Sequence, residues 1–445
     1  MNDKISRREF IRKARDAGAA LALVTVFPRL CRQEATATSN AEQPAAQEAT
    51  EQIAKPNIII ITTDDQNKFS LPVMRHLKSY PGGGWTEFDT AVCPDPICGP
   101  SRGTMLTGQF SRNHGVTKNG YWRRLNAAKA LPVWLKNAGY AFRALYGKYL
   151  YGDDPPTTKP EGWDEFTGRG GYADGVFADA IDAIGRAPEP FFIAISPVDP
   201  HKKANPPERY RTVNVDGFMP VVGPNVNEAD VSDKPAWVRA LPKLSTAKLG
   251  GLKAERQRAY RALLAVDDGV QNVVNALEER GILDKTVIIF WGDNGIHDQG
   301  QHRWTLKHTL YEPSIRVPLL IRVPWRTTNR VETRVVSTAD IATTIADIAG
   351  ATPLVPQDGV SLLPLINEEL VDWTEVAFLN KFPDTNIAGT MEGVRTKDFT
   401  YGRWNNGDRE LYDLRVDPYQ LNNQAGNPDY ADVVAVLDQM TDLYL

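Results

Sequence analysis

Apolar residues gather in this chain into short continuous runs, and each run ends in a polar cluster. Ile58-Ile59-Ile60-Ile61 is uninterrupted and β-branched, the pattern of a strand buried on both faces of a parallel sheet, and it leads into Thr63-Asp64-Asp65. Three further segments repeat the arrangement. Ala141 to Tyr146 leads to Gly147-Lys148, Phe191 to Ser196 leads to Pro200-His201, and Val287 to Trp291 leads to Gly292-Asp293-Asn294-Gly295. Helical patterns lie between them, most clearly from Arg258 to Arg280. There Leu263, Val266, Val270, Val273, Val274 and Leu277 recur at three and four, with Gly281 placed as a C-cap. Strands alternating with helices predict an α/β fold with a central, mostly parallel sheet flanked by helices. Helices cover the faces of such a sheet and leave the carboxyl ends of the strands open to ligands, so four polar clusters at such ends predict one shared pocket.

After Pro364 the texture changes. Val376 to Asn380, Gly393 to Thr396, Phe399 to Trp404 and Glu410 to Leu414 read as short strands separated by Gly, Asn and Asp turns, followed by an amphipathic segment from Tyr430 to Leu445. The predicted organisation is a principal domain over 55–365 and a small C-terminal α+β subdomain with an antiparallel sheet over 366–445. Before Lys55, residues 34–54 are rich in Ala, Glu, Gln and Thr without apolar periodicity and read as a disordered linker. Residues 1–33 place the twin arginines of Ser6-Arg7-Arg8-Glu9-Phe10 before an apolar stretch from Ala17 to Phe27, which resembles a twin-arginine export signal. That stretch is too short for stable membrane insertion. Pro28-Arg29-Leu30 lacks the small residues a lipidation site wants, which argues against lipid anchoring at Cys31. The expected location is periplasmic or extracellular.

The 445 residues, 42% of them hydrophobic, suffice for a large core. Formal net charge is −4, and residues 1–33 hold eight Lys/Arg against three Asp/Glu, so the remainder carries −9. Such a balance argues against nucleic acid as a partner. Asp64 and Asp65 alone read as a cap or solvated turn. Joined with Asp293 and Asn294 they make an all-oxygen, negatively charged set suited to Ca²⁺ or Mg²⁺ rather than zinc. Cys98 by itself is ambiguous, since a lone cysteine is usually a buried hydrophobe and pairing with Cys93 in an exported protein is open.

The surroundings of Cys98 carry a more specific signal. Pro96-Ile97-Cys98-Gly99-Pro100-Ser101-Arg102-Gly103-Thr104-Met105-Leu106-Thr107-Gly108 contains Cys-x-Pro-Ser-Arg, an apolar pair and Thr-Gly. This run resembles the signature of the type I sulfatases, in which a formylglycine-generating enzyme oxidises the cysteine to formylglycine. The resemblance extends from Lys55 to about Asn427 and implies an alkaline-phosphatase-like fold, with 55–365 as the catalytic domain. It also implies Asp64, Asp65, Asp293 and Asn294 as calcium ligands beside a formylglycine at Cys98, and Arg102 as support for both. Gly99 to about Phe110 reads as a helix whose N-terminus suits a sulfate. Lys148 and Lys307 fall in segments resembling those whose lysines bind the substrate sulfate, and His201 in one whose histidine contacts the ester oxygen. His114 and His302 look structural. One departure stands out: where many members have Gly-Lys-x-His, this chain has Leu150.

The implied reaction is sulfate ester hydrolysis, in which one hydroxyl of the hydrated aldehyde attacks sulfur, alcohol leaves, and the second hydroxyl expels sulfate. Gly147-Lys-Tyr-Leu and Gly300-Gln-His-Arg303 resemble the glycosaminoglycan-type exo-sulfatases, so the expected substrate is a sulfated carbohydrate. Lys202, Lys203, Arg209 and Arg211 could steer an anionic saccharide or belong to a solvated loop. The alternatives are a phosphonate or phosphodiester hydrolase of the same superfamily and a non-catalytic binder of sulfated glycans.

Overall fold

The computed structural model describes residues 55–150 and 156–444. The predicted export signal, the linker to residue 54 and Cys31 lie outside the described residues. The strands are β1 (Asn57–Thr63), β2 (Trp85–Phe88), β3 (Ala91–Val92), β4 (Phe142–Gly147), β5 (Glu165–Phe166), β6 (Phe191–Ser196), β7 (Thr286–Gly292), β8 (Arg316–Val317), β9 (Leu319–Arg322), β10 (Arg330–Glu332), β11 (Val336–Ser337), β12 (Val376–Lys381), β13 (Met391–Thr396), β14 (Phe399–Trp404) and β15 (Arg409–Asp413). Eight of them form one sheet in the order β10-β2-β9-β7-β1-β6-β4-β5. All its neighbours are parallel except those of β9, which runs antiparallel to both β2 and β7. A small sheet, β11-β3-β8, lies apart from it.

The isoleucine run explains the layering. Ile58 to Ile61 are all fully buried, and alternate side chains enter opposite cores. On one face Ile58 and Ile60 meet Met105 and Leu106 of the Cys98–Thr107 helix and Ile341 and Ile345 of the Asp340–Ala349 helix. On the other, Ile59 and Ile61 meet Val176 and Phe177 of the Ala173–Arg186 helix and Leu263, Val266 and Val270 of the long Thr246–Glu279 helix. Each such side chain contributes roughly 1.5–3 kcal/mol by leaving water. The result is the alkaline-phosphatase-like sandwich expected from the resemblance.

Two helix boundaries differ from expectation. The Cys98 helix stops at Thr107, because Gly108 adopts φ 63 and caps it, so Phe110 begins a separate turn. The long helix begins at Thr246, twelve residues before the predicted start, with Ser245 Oγ accepting from Lys248 N at 3.2 Å. Its first turns have little apolar periodicity and include Gly250-Gly251, which masks a helix in a pattern search. Cys93 and Cys98 are both free and buried, which removes the disulfide reading.

C-terminal to the main sheet, β12-β13-β14-β15 form an antiparallel meander. One face packs through Phe378, Val394 and Tyr401 on the Ala431–Tyr444 helix. Ala377, Leu379 and Met391 face the cluster of Trp304, Leu310 and Tyr311, so this sheet backs the segment that carries Lys307. The two units are also joined by a buried ion pair, Arg395 Nε to Glu312 Oε1 at 2.7 Å. Burial acts to raise the Glu312 carboxyl, but Arg395 and Arg316 more than offset this and hold it below its ordinary value. Arg395→Met, which strands the buried carboxylate, should cost about 3–5 kcal/mol in denaturant unfolding at pH 7. Because the folded carboxyl is depressed, the wild-type advantage should persist above about pH 4.3 and shrink as the pH falls below it. A loss under about 1 kcal/mol would show that the pair does not join the units.

Candidate active site

The register of the central strands assembles the site. Thr63 pairs with Gly292 across β1 and β7, and Asp293 N donates to Thr63 O at 3.0 Å, which sets Asp64 and Asp65 beside Asp293 and Asn294. Gly147 pairs with Ser196 across β4 and β6, and Lys148 N donates to Ser196 O at 2.7 Å. Gly147 has φ 96, and a Cβ there would stand 2.1 Å from the Ser196 carbonyl oxygen, so glycine is required before the lysine. The polar tails of these strands thus meet in one buried cluster at their carboxyl ends.

Cys98, at the first position of its helix and 1% exposed, forms the floor. Its Sγ lies 3.3 Å from Asp64 Oδ1 and 3.9 Å from Asp65 Oδ1, and accepts from Lys307 Nζ at 2.8 Å. Burial, then the charge on Asp64, pushes the thiol up to about 12. Asp64, Asp65, Asp293 and Cys98 each bring one ligand atom to within 4.8 Å of the others. Lys148 pairs with Asp64 and Lys307 with Asp65. Arg102 Nε donates to Asp293 Oδ2 at 2.7 Å, and its Nη1 donates to the carbonyls of Lys148 at 3.0 Å and Tyr149 at 3.2 Å. Asn294 Nδ2 donates to Asp65 Oδ1 at 2.7 Å. His201 stands at the rim, its side chain 44% exposed, with Nε2 3.5 Å from Asp65 Oδ2. Every site residue expected from sequence therefore meets in one cluster.

The electrostatics suit a hard cation and an anionic ester. Burial works to raise the Asp64 carboxyl, but Lys148, Arg102, His201 and Lys307 together hold it well below the carboxylate range. Asp293 goes the other way: burial, then the charge of Asp64, raises it despite Arg102 and the lysines. The Asp293 shift is set first by burial, a cost that a bound cation would offset. Three buried carboxylates and an amide oxygen form an oxygen donor set fit for Ca²⁺ or Mg²⁺. Arg102 Nη2 is buried without a hydrogen-bond partner among the described residues, which leaves a donor for an incoming oxygen.

The remaining expected residues divide. Leu150 is fully buried in the core, so the position of the family histidine holds a packing residue. His114, whose burial lowers it to about 3, lies against Gly103 and Thr104. His302 is stacked on Tyr311 and bonded to Glu228 at 2.6 Å. Arg209 is committed to Asp174 and Asp268, and Arg211 to Glu208, whereas Lys202 and Lys203 line a cleft next to His201. One supporting group was not foreseen. His308, adjacent to Lys307, lies between Asp95 Oδ1 at 3.0 Å and Asp384 Oδ2 at 2.5 Å, tying the lysine segment to the C-terminal unit. Its partners are 213 and 76 residues away, beyond any local pattern.

A sulfatase family model matches residues 56–351, and a second, described as N-sulphoglucosamine sulphohydrolase, C-terminal, matches 300–443. The chain belongs to the sulfatase family. The sulfatase is 30% identical to an arylsulfatase of Volvox carteri over 83% of its own length and 71% of the relative's. It is 27% identical to an N-acetylglucosamine-6-sulfatase of Capra hircus, covering 84% and 81% of the two chains. A protein solved with its substrate D-glucosamine-2-N,6-O-disulfate shares the fold at TM-score 0.73 and 23% identity, over 87% of this sulfatase and 97% of that chain. As a member of the family the sulfatase is a sulfuric ester hydrolase of the alkaline-phosphatase-like superfamily.

Calcium added to metal-free sulfatase should raise its thermal midpoint. Binding at a hundred times Kd stabilises by about 2.7 kcal/mol. Asp293→Asn should abolish that shift and the bound metal, measured by elemental analysis. Stoichiometric zinc in the purified protein, or an unchanged calcium shift in the variant, would contradict the donor assignment.

Proposed function

We propose that this sulfatase removes sulfate from a carbohydrate, with a 6-sulfated amino sugar as the favoured class. The observation that carries the reaction is the meeting of Cys98, three carboxylates, Arg102 and two lysines in one buried cluster, with a histidine at its open rim. The amino-sugar class is supported by the C-terminal family match and by the relative that acts on N-acetylglucosamine-6-sulfate, as its name states.

In this reading Asp64, Asp65, Asp293 and Asn294 hold a calcium ion and Cys98 is matured to formylglycine by a generating enzyme, supplying a Lewis acid for a sulfate oxygen and a hydrated aldehyde as nucleophile. Lys148 and Lys307 bind the sulfate oxygens. Arg102 fixes Asp293 on one side and the Lys148 backbone on the other, so the cation and sulfate sites are held by one guanidinium. His201, half-exposed where the alcohol must depart, gives the leaving oxygen its proton. Leu150 cannot act as the base that the resemblance assigns to a histidine there, so that role passes to another group or to His201 in both steps. Export to the periplasm or beyond, read from residues 1–33, belongs to the same proposal.

General acid catalysis contributes about 10²–10⁴-fold. His201→Ala should lose roughly that factor on N-acetylglucosamine 6-sulfate and clearly less on nitrophenyl sulfate, whose leaving group is stable as an anion. Equal losses would assign His201 to sulfate binding instead. The wild-type enzyme should also favour nitrophenyl sulfate over an aryl phosphodiester. The opposite preference would move it to the phosphonate and phosphodiester branch of the superfamily.

A further inference from the structure

Behind the site a row of buried charges runs from the segment before Cys98 into the C-terminal unit, and His308 is its middle member. Its Nε2 lies 3.0 Å from Asp95 Oδ1 and its Nδ1 2.5 Å from Asp384 Oδ2, with the side chain 2% exposed. A carboxylate only accepts hydrogen bonds, so an imidazole that meets one at each nitrogen donates with both and is positively charged. The two carboxylates are themselves fixed. Asp95 Oδ2 accepts from Ser111 Oγ at 2.7 Å and Asn380 Nδ2 at 3.1 Å, and Asp384 Oδ1 accepts from the backbone N–H groups of Asn386 and Ile387 at 2.7 Å each. Beyond Asp384 stands Lys381, 3.9 Å away with its side chain wholly buried, whose ammonium donates to the carbonyls of Phe382, Ile387 and Gly389.

This row meets the sulfate site through the backbone of Lys307, the residue before His308, whose Nζ donates to Asp65 and to Cys98 Sγ. His308 has φ 70, a left-handed conformation that a residue with a Cβ seldom adopts and keeps only where its surroundings impose it. The two carboxylates impose it from opposite sides, one just before the Cys98–Thr107 helix and one just after β12. Burial works to lower the His308 imidazole, but its hydrogen bonds to Asp384 and Asp95 outweigh that and the nearby charge of Lys381, and raise it above its ordinary value of 6.5. Burial likewise acts to raise the Asp384 carboxyl, which the bond from His308, the Ile387 N–H and the charge of Lys381 hold well below the usual range.

We propose that His308 is a positioning residue for sulfate binding: held as an imidazolium between Asp95 and Asp384, it fixes the backbone that aims Lys307 into the site. The C-terminal unit thereby sets the affinity for the sulfate group without touching it. This rests on the reading of Lys307 as a sulfate ligand. While His308 is charged, both of its hydrogen bonds stand. As the pH rises through its folded pKa one of them is lost, two buried carboxylates face a neutral ring, and Lys307 loses its support. Lys307 would hold the sulfate in the ground state and the transition state alike, so the effect falls on KM rather than kcat.

The test uses the full chain matured by a formylglycine-generating enzyme, labelled at histidine for NMR and assayed on nitrophenyl sulfate across pH. Of its six imidazoles, the one whose signal disappears in His308→Gln should titrate above 6.5, and KM should rise with the same midpoint. His308→Gln should raise KM about five- to fiftyfold at neutral pH, change kcat less than about threefold, and abolish the further rise with pH. Asp384→Asn keeps the shape and takes one carboxylate from the ring, so it should move both midpoints to lower pH, which a merely structural contact does not do. It also identifies the signal where His308→Gln fails to fold. Titration of His308 at or below 6.5, or a wild-type KM that ignores that titration, overturns the inference. Lys307→Met separates it from the reading beneath. An unchanged KM in that variant overturns the assignment of Lys307 to sulfate, whereas a KM raised there but unaltered in the folded His308 and Asp384 variants overturns the positioning role alone.

Discussion

Everything in this structure answers to a concentration of buried charge at the ends of β1 and β7. Asp64, Asp65 and Asp293 are almost wholly removed from water and sit within reach of one another. Desolvating even one carboxylate costs several kcal/mol unless it is paired. Arg102, Lys148 and Lys307 provide the pairing, each delivered by a different segment: the Cys98 helix, the end of β4 and the loop before the Glu312–Ile315 turn. Formally the three cations balance the three carboxylates. A divalent cation and an anionic ester thus enter as opposite charges into a cluster that is near neutral without them.

The same constraint accounts for how the fold is braced around the site. Lys307 reaches Asp65 and Cys98 from a loop, where position is expensive to hold. His308, clamped between Asp95 and Asp384, anchors the neighbouring residue. Arg395 and Glu312 fasten the far end of that segment to the C-terminal sheet. The subdomain that the family match extends through is thus a structural partner of the sulfate site, even though its own strands contribute no residue to the cluster.

Much of this was legible in the amino-acid order. Strands buried on both faces must be apolar throughout, which is why β1, β4, β6 and β7 stand within two residues of their predicted bounds, and a parallel sheet opens only at its ends, which brought their polar tails together. The Cys98 run identified the chemistry because its spacing is specific. Other features had no local signature. The run that becomes β9 does not reveal its antiparallel direction, since apolar periodicity is the same either way. Residues 246–257 form helix through an Ser245 cap and through contacts of a few side chains such as Leu252, against the preference of Gly250-Gly251. The His308 clamp depends on two aspartates distant in sequence.

The division of labour in the site follows from exposure. Groups that manage charge are buried and fixed by several hydrogen bonds, whereas His201, beside the cluster, is half-open at its rim. The central claim is that Cys98 is the precursor of the nucleophile. The most direct measurement is peptide mass spectrometry of the segment containing Cys98, paired with sulfate-ester turnover, on protein made with and without a formylglycine-generating enzyme. The account predicts that activity rises in proportion to the fraction of peptide carrying an aldehyde at position 98 and is absent in Cys98→Ala. Full turnover by protein whose Cys98 remains a thiol would contradict it.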